Sequence, residues 1–262
     1  AALVGVTGTN GKSSTVDFLR QIWASAGKNA ASLGTLGAIW KGGVTDLGHT
    51  TADPVALHRT LQMLADSGVT HAAMEVSSHG LEQDRVAGLT FEAGAFLNLT
   101  QDHLDYHQTM DAYRAAKMRL WSRVKGPAII NADSPEGDAF ASGAREAGLG
   151  VVTTGWRAGN DGLKIVEIQP RPASQVLTLR WRGEEDDVEL PLIGEFQAIN
   201  AVTAATLALA LSEAPANVFA AMAKLQPVKG RMEHIGASKS GAHVFVDYAH
   251  TPDGLNVLLR AA

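Results

Sequence analysis

The 262-residue sequence contains no cysteine. This absence excludes disulfide scaffolds, thiol nucleophiles and cysteine-ligated zinc, and it leaves histidine and the carboxylates as candidate metal ligands. It also fits a cytoplasmic location, which we expect. Positive charge is scarce as well, because 22 Lys and Arg stand against 27 Asp and Glu, a net charge of −5. Nucleic-acid binders usually carry a basic excess, so we expect no nucleic-acid partner.

The sequence also lacks an apolar run long enough for a membrane span. Its most apolar window, residues 198–211, has 14 residues and includes Asn200, which is typical of a buried helix. We expect neither membrane insertion nor a signal peptide. With 45% hydrophobic residues, 19% charged residues and only 9 prolines, the composition is that of a folded globular protein. The chain starts at Ala1 without Met and stops at Ala262 inside a predicted helix, so we expect a piece of a longer protein.

Short apolar runs alternate with longer amphipathic segments from Leu3 to about Gly155. This order predicts an α/β fold with a mostly parallel sheet flanked by helices. The predicted strands are 3–6, 71–76, 93–97, 128–131, 151–154 and 243–246. The predicted helices are 13–26, 55–67, 110–124, 136–147, 197–212 and 216–225. Between about 160 and 193, strand-like runs broken by Pro170, Pro172 and Gly183 predict a small antiparallel insert.

Residues 5–14, GVTGTNGKSS, lie between a predicted strand and a predicted helix and suggest a phosphate loop of the P-loop type. Backbone N–H groups at such a helix start form an anion cradle, Lys12 can reach the β- and γ-phosphates, and the Ser13 hydroxyl can bind Mg²⁺. The strict pattern G-x-x-x-x-G-K-[ST] would need glycine where Val6 stands. The alternative is a glycine-rich turn with a solvated lysine. The candidate phosphate-binding residues are Gly8, Thr9, Asn10, Gly11, Lys12, Ser13 and Ser14.

Three further polar positions each have two interpretations. Glu75 ends a predicted buried strand, where it would be a Mg²⁺ ligand or else a helix cap or salt-bridge partner. Residues 102–107, DHLDYH, would be a metal site or a helix start capped by Asp102. Lys117 taken alone reads as a surface lysine on a helix.

The remaining candidates also have plain structural interpretations. Asp53 before Pro54 predicts a helix N-cap, but it leaves the hydroxyls of residues 50–51 unexplained. Asn200 in an alanine-rich helix would make a helix–helix hydrogen bond. Arg231 would be a linker arginine, and residues after the last predicted strand would form a turn.

The sequence motifs in these segments resemble those of the Mur ligase superfamily of ATP-dependent amide-forming enzymes. TGTNGK followed by Ser at 7–13 resembles its phosphate loop, and MEVSSHGL at 74–81 with HLDYH at 103–107 is similar to the MurE-type branch. GRME at 230–233 and DYAHTPD at 247–253 follow these motifs in the same order as in the family. GEFQAIN resembles the family's G-x-F-N-x-x-N box, with Gln197 in place of the first Asn, so Gln197 is not counted as a ligand.

The resemblance implies roles for individual residues. Metal ligands would be Ser13, Glu75, His103 and Lys117, with Lys117 carbamylated so that a carboxylate-like group sits beside Mg²⁺. The catalytic set would be Lys12, Lys117 and His103. Further nucleotide contacts would come from Asn200, Arg231, Asp247 and His250. Substrate contacts would come from Thr50, Thr51, Ser77 and Arg85, the last because a planar guanidinium can hold a carboxylate or phosphate through two bonds.

The implied activity uses ATP and Mg²⁺ to join a diamino acid to UDP-MurNAc-L-Ala-D-Glu through an acyl phosphate, in peptidoglycan biosynthesis. Residues 1–230 would be the central ATP-binding domain and 231–262 the start of a Rossmann-like C-terminal domain, with the N-terminal UDP-binding domain absent. Such a piece would be monomeric and inactive alone. The alternatives are a non-catalytic ATP-binding module and another amide ligase of the superfamily, similar to cyanophycin or folylpolyglutamate synthetase. These residues do not define whether diaminopimelate, lysine or ornithine is added.

Overall fold

The computed structural model describes residues 2–261; Ala1 and Ala262, the two terminal residues noted in the sequence analysis, lie outside the described residues. The strands in chain order are β1 Ala2–Thr7, β2 Ala30–Gly34, β3 Gly37–Trp40, β4 Gly43–Thr45, β5 His71–Glu75, β6 Ala93–Phe96, β7 Ala128–Asn131, β8 Val151–Gly155, β9 Leu163–Pro170, β10 Gln175–Trp181, β11 Glu184–Leu190, β12 Glu233–Ala237 and β13 His243–Val246. The α-helices are α1 Lys12–Ser25, α2 Pro54–Asp66, α3 Ser78–Glu82, α4 Leu104–His107, α5 Met110–Met118, α6 Gly137–Glu146, α7 Glu195–Ala210, α8 Pro215–Met222 and α9 Pro252–Ala261.

One large sheet organises the chain, in the order β11-β10-β9-β8-β7-β6-β1-β5-β2-β3-β4. The strands from β9 to β2 in this order pair in parallel, and antiparallel strands extend both edges. The predicted α/β fold is confirmed. The predicted antiparallel insert is present as β9 to β11, and it continues the main sheet because Leu163 pairs in parallel with Thr154. A separate hairpin, β12–β13, follows near the end of the chain.

Some elements differ from the prediction. The sequence analysis did not predict β2, β3, β4, β12 or the short helix α3, and it gave a helix start at α4 as only one of two interpretations of residues 102–107. The helix predicted over 110–124 is α5 followed by a 3-10 helix at Arg119–Arg123, so a change in helix type divides it.

Each face of the sheet has its own apolar core. On β1, Val4 and Val6 belong to the cluster with Leu19 of α1 and the helices α7 and α8, while Leu3 belongs to the opposite cluster under α2, α5 and α6. This alternation follows from the two-residue period of a strand. Helix α7 is buried along most of its length, as expected for a segment that is apolar on all sides. Within residues 2–261, no helix has the length and apolarity needed to cross a membrane.

The sheet order creates a crevice beside β1. The chain leaves β1 towards β2, on the β5 side, whereas it leaves β6 towards β7, on the other side. Loops therefore diverge at the carboxyl ends of β1 and β6, which is where open α/β sheets bind ligands. The phosphate loop and residues 98–103 lie at this point.

Candidate active site

The phosphate loop is held from both sides of the crevice. The side-chain amide of Asn98, directly after β6, accepts from the Asn10 N–H (2.9 Å) and donates to the Asn10 carbonyl (3.2 Å). The Thr9 N–H donates to the Asn98 carbonyl (2.9 Å). Gly11 precedes α1 with φ 88°, and a Cβ there would overlap the Asn200 side chain. The sequence analysis did not select Asn98, although Asn98 directly follows the predicted strand 93–97 and Glu75 was selected for its place at the end of a strand.

Lys12 is the first residue of α1, and its ammonium group turns back onto the loop. It donates to the carbonyls of Gly8 (2.9 Å) and Thr9 (2.8 Å). Burial lowers the pKa of Lys12, and the Glu75 carboxylate partly opposes this shift. The loop therefore has a cation at its centre that a phosphate could draw away from the two carbonyls.

Lys117 lies beneath the same loop and is only 1% exposed. Its amino group donates to the Gly8 carbonyl (2.9 Å) and lies 4.4 Å from the centre of the Tyr113 ring. Desolvation, with a contribution from nearby Lys12, lowers the pKa of Lys117 well below its usual value. The surface-lysine interpretation is wrong, because α5 turns this side chain inward.

Glu75 ends β5 and faces the crevice while only 2% exposed. One carboxylate oxygen accepts from the Thr35 N–H (2.8 Å) and the other is 3.4 Å from the Thr35 hydroxyl. Thr35 lies in the turn after β2, and the preceding Gly34 packs so closely that a Cβ would overlap the carboxylate. Among the described residues Glu75 makes no ion pair and caps no helix.

The loop after β6 places His103 at the crevice. The Asp102 carboxylate accepts from the His103 N–H (2.8 Å) and lies 3.5 Å from the ring. His103 has φ 52° and itself stands at the N-cap of α4, so Asp102 orders His103 rather than capping that helix. Burial lowers the pKa of His103, although Asp102 opposes this shift. Residues 2–261 contain no cluster of three or more histidine or carboxylate side chains close enough to hold a metal ion by themselves.

His107 has a different position from His103, because its buried ring joins α4 to α3. Nε2 lies 2.9 Å from the Ser78 hydroxyl, and Nδ1 pairs with Glu82 (3.1 Å). Both ring nitrogens are therefore used inside the fold.

The four predicted substrate residues gather around the end of β5. The Thr51 hydroxyl donates to the Glu75 carbonyl (3.0 Å) and accepts from the Ser77 N–H (3.0 Å), so it is fully used within the fold. Arg85 donates to the Thr51 carbonyl (2.9 Å). Thr50 lines the crevice, with its hydroxyl 3.0 Å from that of Thr35.

Two polar residues selected from the sequence, the predicted cap Asp53 and the predicted substrate residue Ser77, cap helices in the structure. Asp53 caps α2 by accepting from two N–H groups, as predicted. The Ser77 hydroxyl caps α3 by accepting from the Gly80 N–H (3.0 Å).

The segment after residue 230 forms the opposite wall. Arg231 donates to the Ser13 hydroxyl (3.1 Å), and its guanidinium lies 5.2 Å from the centre of the Tyr248 ring. Gln197 fixes this wall to α7 by donating to the Arg231 carbonyl (3.0 Å). The linker interpretation of Arg231 is therefore wrong, since its side chain reaches the phosphate loop.

Three other predicted nucleotide residues lie on or near this wall. Asp247 accepts from the N–H groups of Met232 and Ala249 (both 2.7 Å), and His250 lines the crevice beside it. Asn200 donates to Gln197 (3.4 Å) within α7 and packs on Gly11.

Together these walls enclose a cleft of about 440 Å³. That volume suits a small-molecule ligand. The lining includes the predicted residues Thr9, Asn10, Gly11, Lys12, Ser13, Ser14, Thr50, Glu75, His103, Asn200, Arg231, Asp247 and His250. The lining residues that the sequence analysis did not select as site residues are Thr35, Asn98, Thr100, Asp102, Asn131, Phe196, Ile199, Tyr248, Ala249, Gly254, Val257 and Leu258. The predicted residues Gly8, Thr51, Ser77, Arg85 and Lys117 lie outside the lining.

A parallel sheet with a phosphate loop at its switch point defines the class of α/β proteins that bind phosphate-bearing ligands. Residues 6–208 match the Mur ligase middle domain. The chain belongs to the Mur ligase family, as its motifs suggest.

Known proteins of this family cover the whole length of the chain. It is 46% identical over 262 residues to UDP-N-acetylmuramoyl-L-alanyl-D-glutamate--2,6-diaminopimelate ligase of Agrobacterium fabrum, covering 99% of this chain and 53% of that protein. A solved structure with the same enzyme name superposes with TM-score 0.85 at 32% identity, over 99% of this chain and 53% of that one. Mycobacterium tuberculosis folylpolyglutamate synthase shares the fold (TM-score 0.82, 20% identity, 99% and 66% coverage). The chain thus spans about half the length of the curated relatives it matches.

Proposed function

We propose that the protein containing this chain is a cytoplasmic, ATP-dependent ligase that adds a diamino acid to the D-Glu of UDP-MurNAc-L-Ala-D-Glu in peptidoglycan biosynthesis. The observation that carries the proposal is the convergence of the phosphate loop, Glu75 and Arg231 on one cleft, with Lys117 directly beneath the loop. The names of the curated relatives favour 2,6-diaminopimelate over lysine or ornithine as the amino acid.

In this proposal ATP occupies the cleft with its phosphates on the loop. Lys12 would exchange its two carbonyl partners for phosphate oxygens, while N–H groups at the start of α1 contribute positive potential. Arg231, Asp247 and His250 line the wall opposite the phosphate loop, and Asn200 lines the same cleft from α7. A folylpolyglutamate synthase of the same fold was solved with ADP and AMPPCP, which supports nucleotide binding by this fold.

The cleft also fits Mg²⁺. The Glu75 carboxylate and the Ser13 hydroxyl supply the oxygen ligands that Mg²⁺ prefers, and His103 faces them from the next loop. Mg²⁺ keeps several water ligands, so few protein groups are needed. When bound, the ion would offset the charge of the phosphates.

Lys117 is suited to carbamylation. Its neutral amine would attack CO₂, forming an N–C bond and releasing one proton, which turns the neutral amine into a carbamate anion. Burial favours the neutral amine that this reaction requires. The carbamate would add a negative charge beneath the phosphate loop, on a residue proposed as a metal ligand.

The reaction would proceed in two displacements. A carboxylate oxygen of D-Glu attacks the γ-phosphorus and ADP leaves, giving an acyl phosphate; the amine then attacks the acyl carbon and inorganic phosphate leaves. Lys12 and Arg231 offset the negative charge that would otherwise keep the carboxylate and the triphosphate apart. Such catalysis depends on positioning and electrostatics and needs no nucleophilic side chain, which fits a chain without cysteine.

We further propose that residues 1–230 form the ATP-binding domain and that 231–262 begin the C-terminal ligase domain. The separate β12–β13 hairpin and α9 after Gly230 support this boundary. Because Arg231 reaches Ser13 across the boundary, the second domain would complete the nucleotide site.

The test is phosphate release by the whole protein of which this chain is part. Release should require ATP, UDP-MurNAc-L-Ala-D-Glu and a diamino acid together, and Lys12→Ala should abolish it. Lys41→Ala is the matched control, because Lys41 is exposed in the β3–β4 turn. Phosphate release without the acceptor, or full activity of Lys12→Ala, would contradict the proposal. ATP binding without turnover would indicate a non-catalytic module instead.

A further inference from the structure

Tyr113 lies at the junction of the site's elements although it does not line the cleft. It is 1% exposed on α5, one turn before Lys117. Its hydroxyl is 3.2 Å from the hydroxyl of Thr9 in the phosphate loop. A buried tyrosine hydroxyl usually needs such a partner, so the contact joins α5 to the loop.

The Thr9 hydroxyl also contacts the loop that follows β6. It accepts from the Thr100 N–H (3.0 Å) and lies 3.3 Å from the Thr100 carbonyl. Thr100 stands two residues before Asp102, which orders His103. One hydroxyl thus connects Tyr113 to both loops at the switch point.

The ring of Tyr113 makes two further contacts. Lys117 Nζ lies over the ring, 4.4 Å from its centre. The His107 ring stacks on it at 5.0 Å. The ring therefore supports the amine that donates to the Gly8 carbonyl.

We propose that Tyr113 is a positioning residue of the nucleotide site: its hydroxyl fixes Thr9, and through Thr9 both loops, while its ring keeps the Lys117 amine beneath the phosphate loop. The inference rests on the proposed function only in taking this loop as the nucleotide site. The hydroxyl and the ring are separable, because phenylalanine keeps the ring alone.

The first test is amide hydrogen exchange of the nucleotide-free chain, comparing Tyr113→Phe with the unchanged protein. Loss of one neutral hydrogen bond corresponds to about a two- to tenfold change in an opening equilibrium. We expect the amides of Thr9, Asn10 and Thr100 to exchange faster by about this factor relative to those of β1. A purely structural role of Tyr113 would instead accelerate β1 and the loops equally, which would overturn the proposal.

Two variants sharpen this test. Tyr106→Phe makes the same chemical change at a 40% exposed tyrosine that has no contact with the loop, so loop exchange should stay unchanged. In a Thr9→Val background, Tyr113→Phe should add nothing at Asn10, since the partner hydroxyl is already gone. Acceleration by Tyr106→Phe, or full additivity with Thr9→Val, would overturn the assignment.

The role of the ring is tested by amine acylation. Tyr113→Leu should raise the labelling rate of Lys117 several-fold, whereas Tyr113→Phe should not; equal rates in all three proteins would refute the ring's role. ADP titration separates this inference from the proposed function. No ADP binding by the unchanged protein would count against the nucleotide site, while the exchange measurement would still decide the role of Tyr113.

Discussion

Gly11→Ala should destabilise the protein for two reasons that can be measured separately. The first is the backbone: φ is 88°, a left-handed conformation that costs a residue with a Cβ about 1–2 kcal/mol. Lower entropy of the unfolded chain returns about 0.5 kcal/mol. The second is space, because the new Cβ would overlap Asn200 Oδ1 and stand 3.2 Å from Leu97 Cδ1.

A substitution at Gly27 measures the backbone cost alone. Gly27 follows α1 with φ 79°, close to that of Gly11, and a Cβ there would meet nothing within 4 Å. Gly27→Ala should therefore lower the free energy of unfolding by about 1 kcal/mol. Forced overpacking adds about 1–3 kcal/mol, so Gly11→Ala should lose about 2–4 kcal/mol.

Removing the Asn200 side chain should abolish the extra destabilisation of Gly11→Ala over Gly27→Ala. In an Asn200→Ala background, Gly11→Ala should cost about the same as Gly27→Ala, giving a coupling of about 1–3 kcal/mol between positions 11 and 200. Urea unfolding of the four proteins of this cycle, with Gly27→Ala beside them, provides the measurement. Equal losses for Gly11→Ala and Gly27→Ala, or no coupling to Asn200, would refute the close approach of α7 to the phosphate loop.

Three further predictions concern polar side chains that are buried or half-buried. Thr51→Val should lower the free energy of unfolding by about 1–3 kcal/mol, because the Ser77 N–H loses its acceptor, whereas Thr51→Ser should lose clearly less; equal losses in urea unfolding would contradict this. Lys117→Met should leave that free energy unchanged or raise it, since Lys12 still donates to the Gly8 carbonyl; a loss greater than that of Thr51→Val would be evidence against this. Desolvation, together with the charge of Lys28, lowers the pKa of His71 below its usual value of 6.5. As the pH falls below 6.5, the unfolded chain therefore binds a proton at this position more readily than the folded protein does, and the free energy of unfolding decreases. His71→Gln should make the urea midpoint less dependent on pH between neutral and acidic pH, and an unchanged pH dependence would exclude this role.

Local patterns in the sequence were sufficient for many elements. Strands β7 and β13 have the predicted bounds, because short apolar runs end at turn residues there. The cap at Asp53 and the helix after it also follow from neighbouring residues. Strands β2 to β4 were missed because their short runs, rich in alanine and glycine, carry little apolar periodicity.

The parts of the site that could not be predicted depend on distant contacts. The sequence pattern cannot show that Lys117 lies beneath Gly8, more than 100 residues away, so it left a surface position open. The contact of Arg231 with Ser13 and the support of Glu75 by Thr35 likewise depend on strand order. Sequence motifs therefore select the residues, whereas the parallel sheet determines which of them meet.

The central claim is that the whole protein activates a carboxylate as an acyl phosphate. The most direct measurement uses UDP-MurNAc-L-Ala-D-Glu with ¹⁸O in the D-Glu side-chain carboxylate, together with ATP, Mg²⁺ and 2,6-diaminopimelate. Because the attacking carboxylate oxygen stays with phosphorus when the amine displaces phosphate, the released phosphate should carry one ¹⁸O per molecule of product. Product formation with unlabelled phosphate would contradict the account.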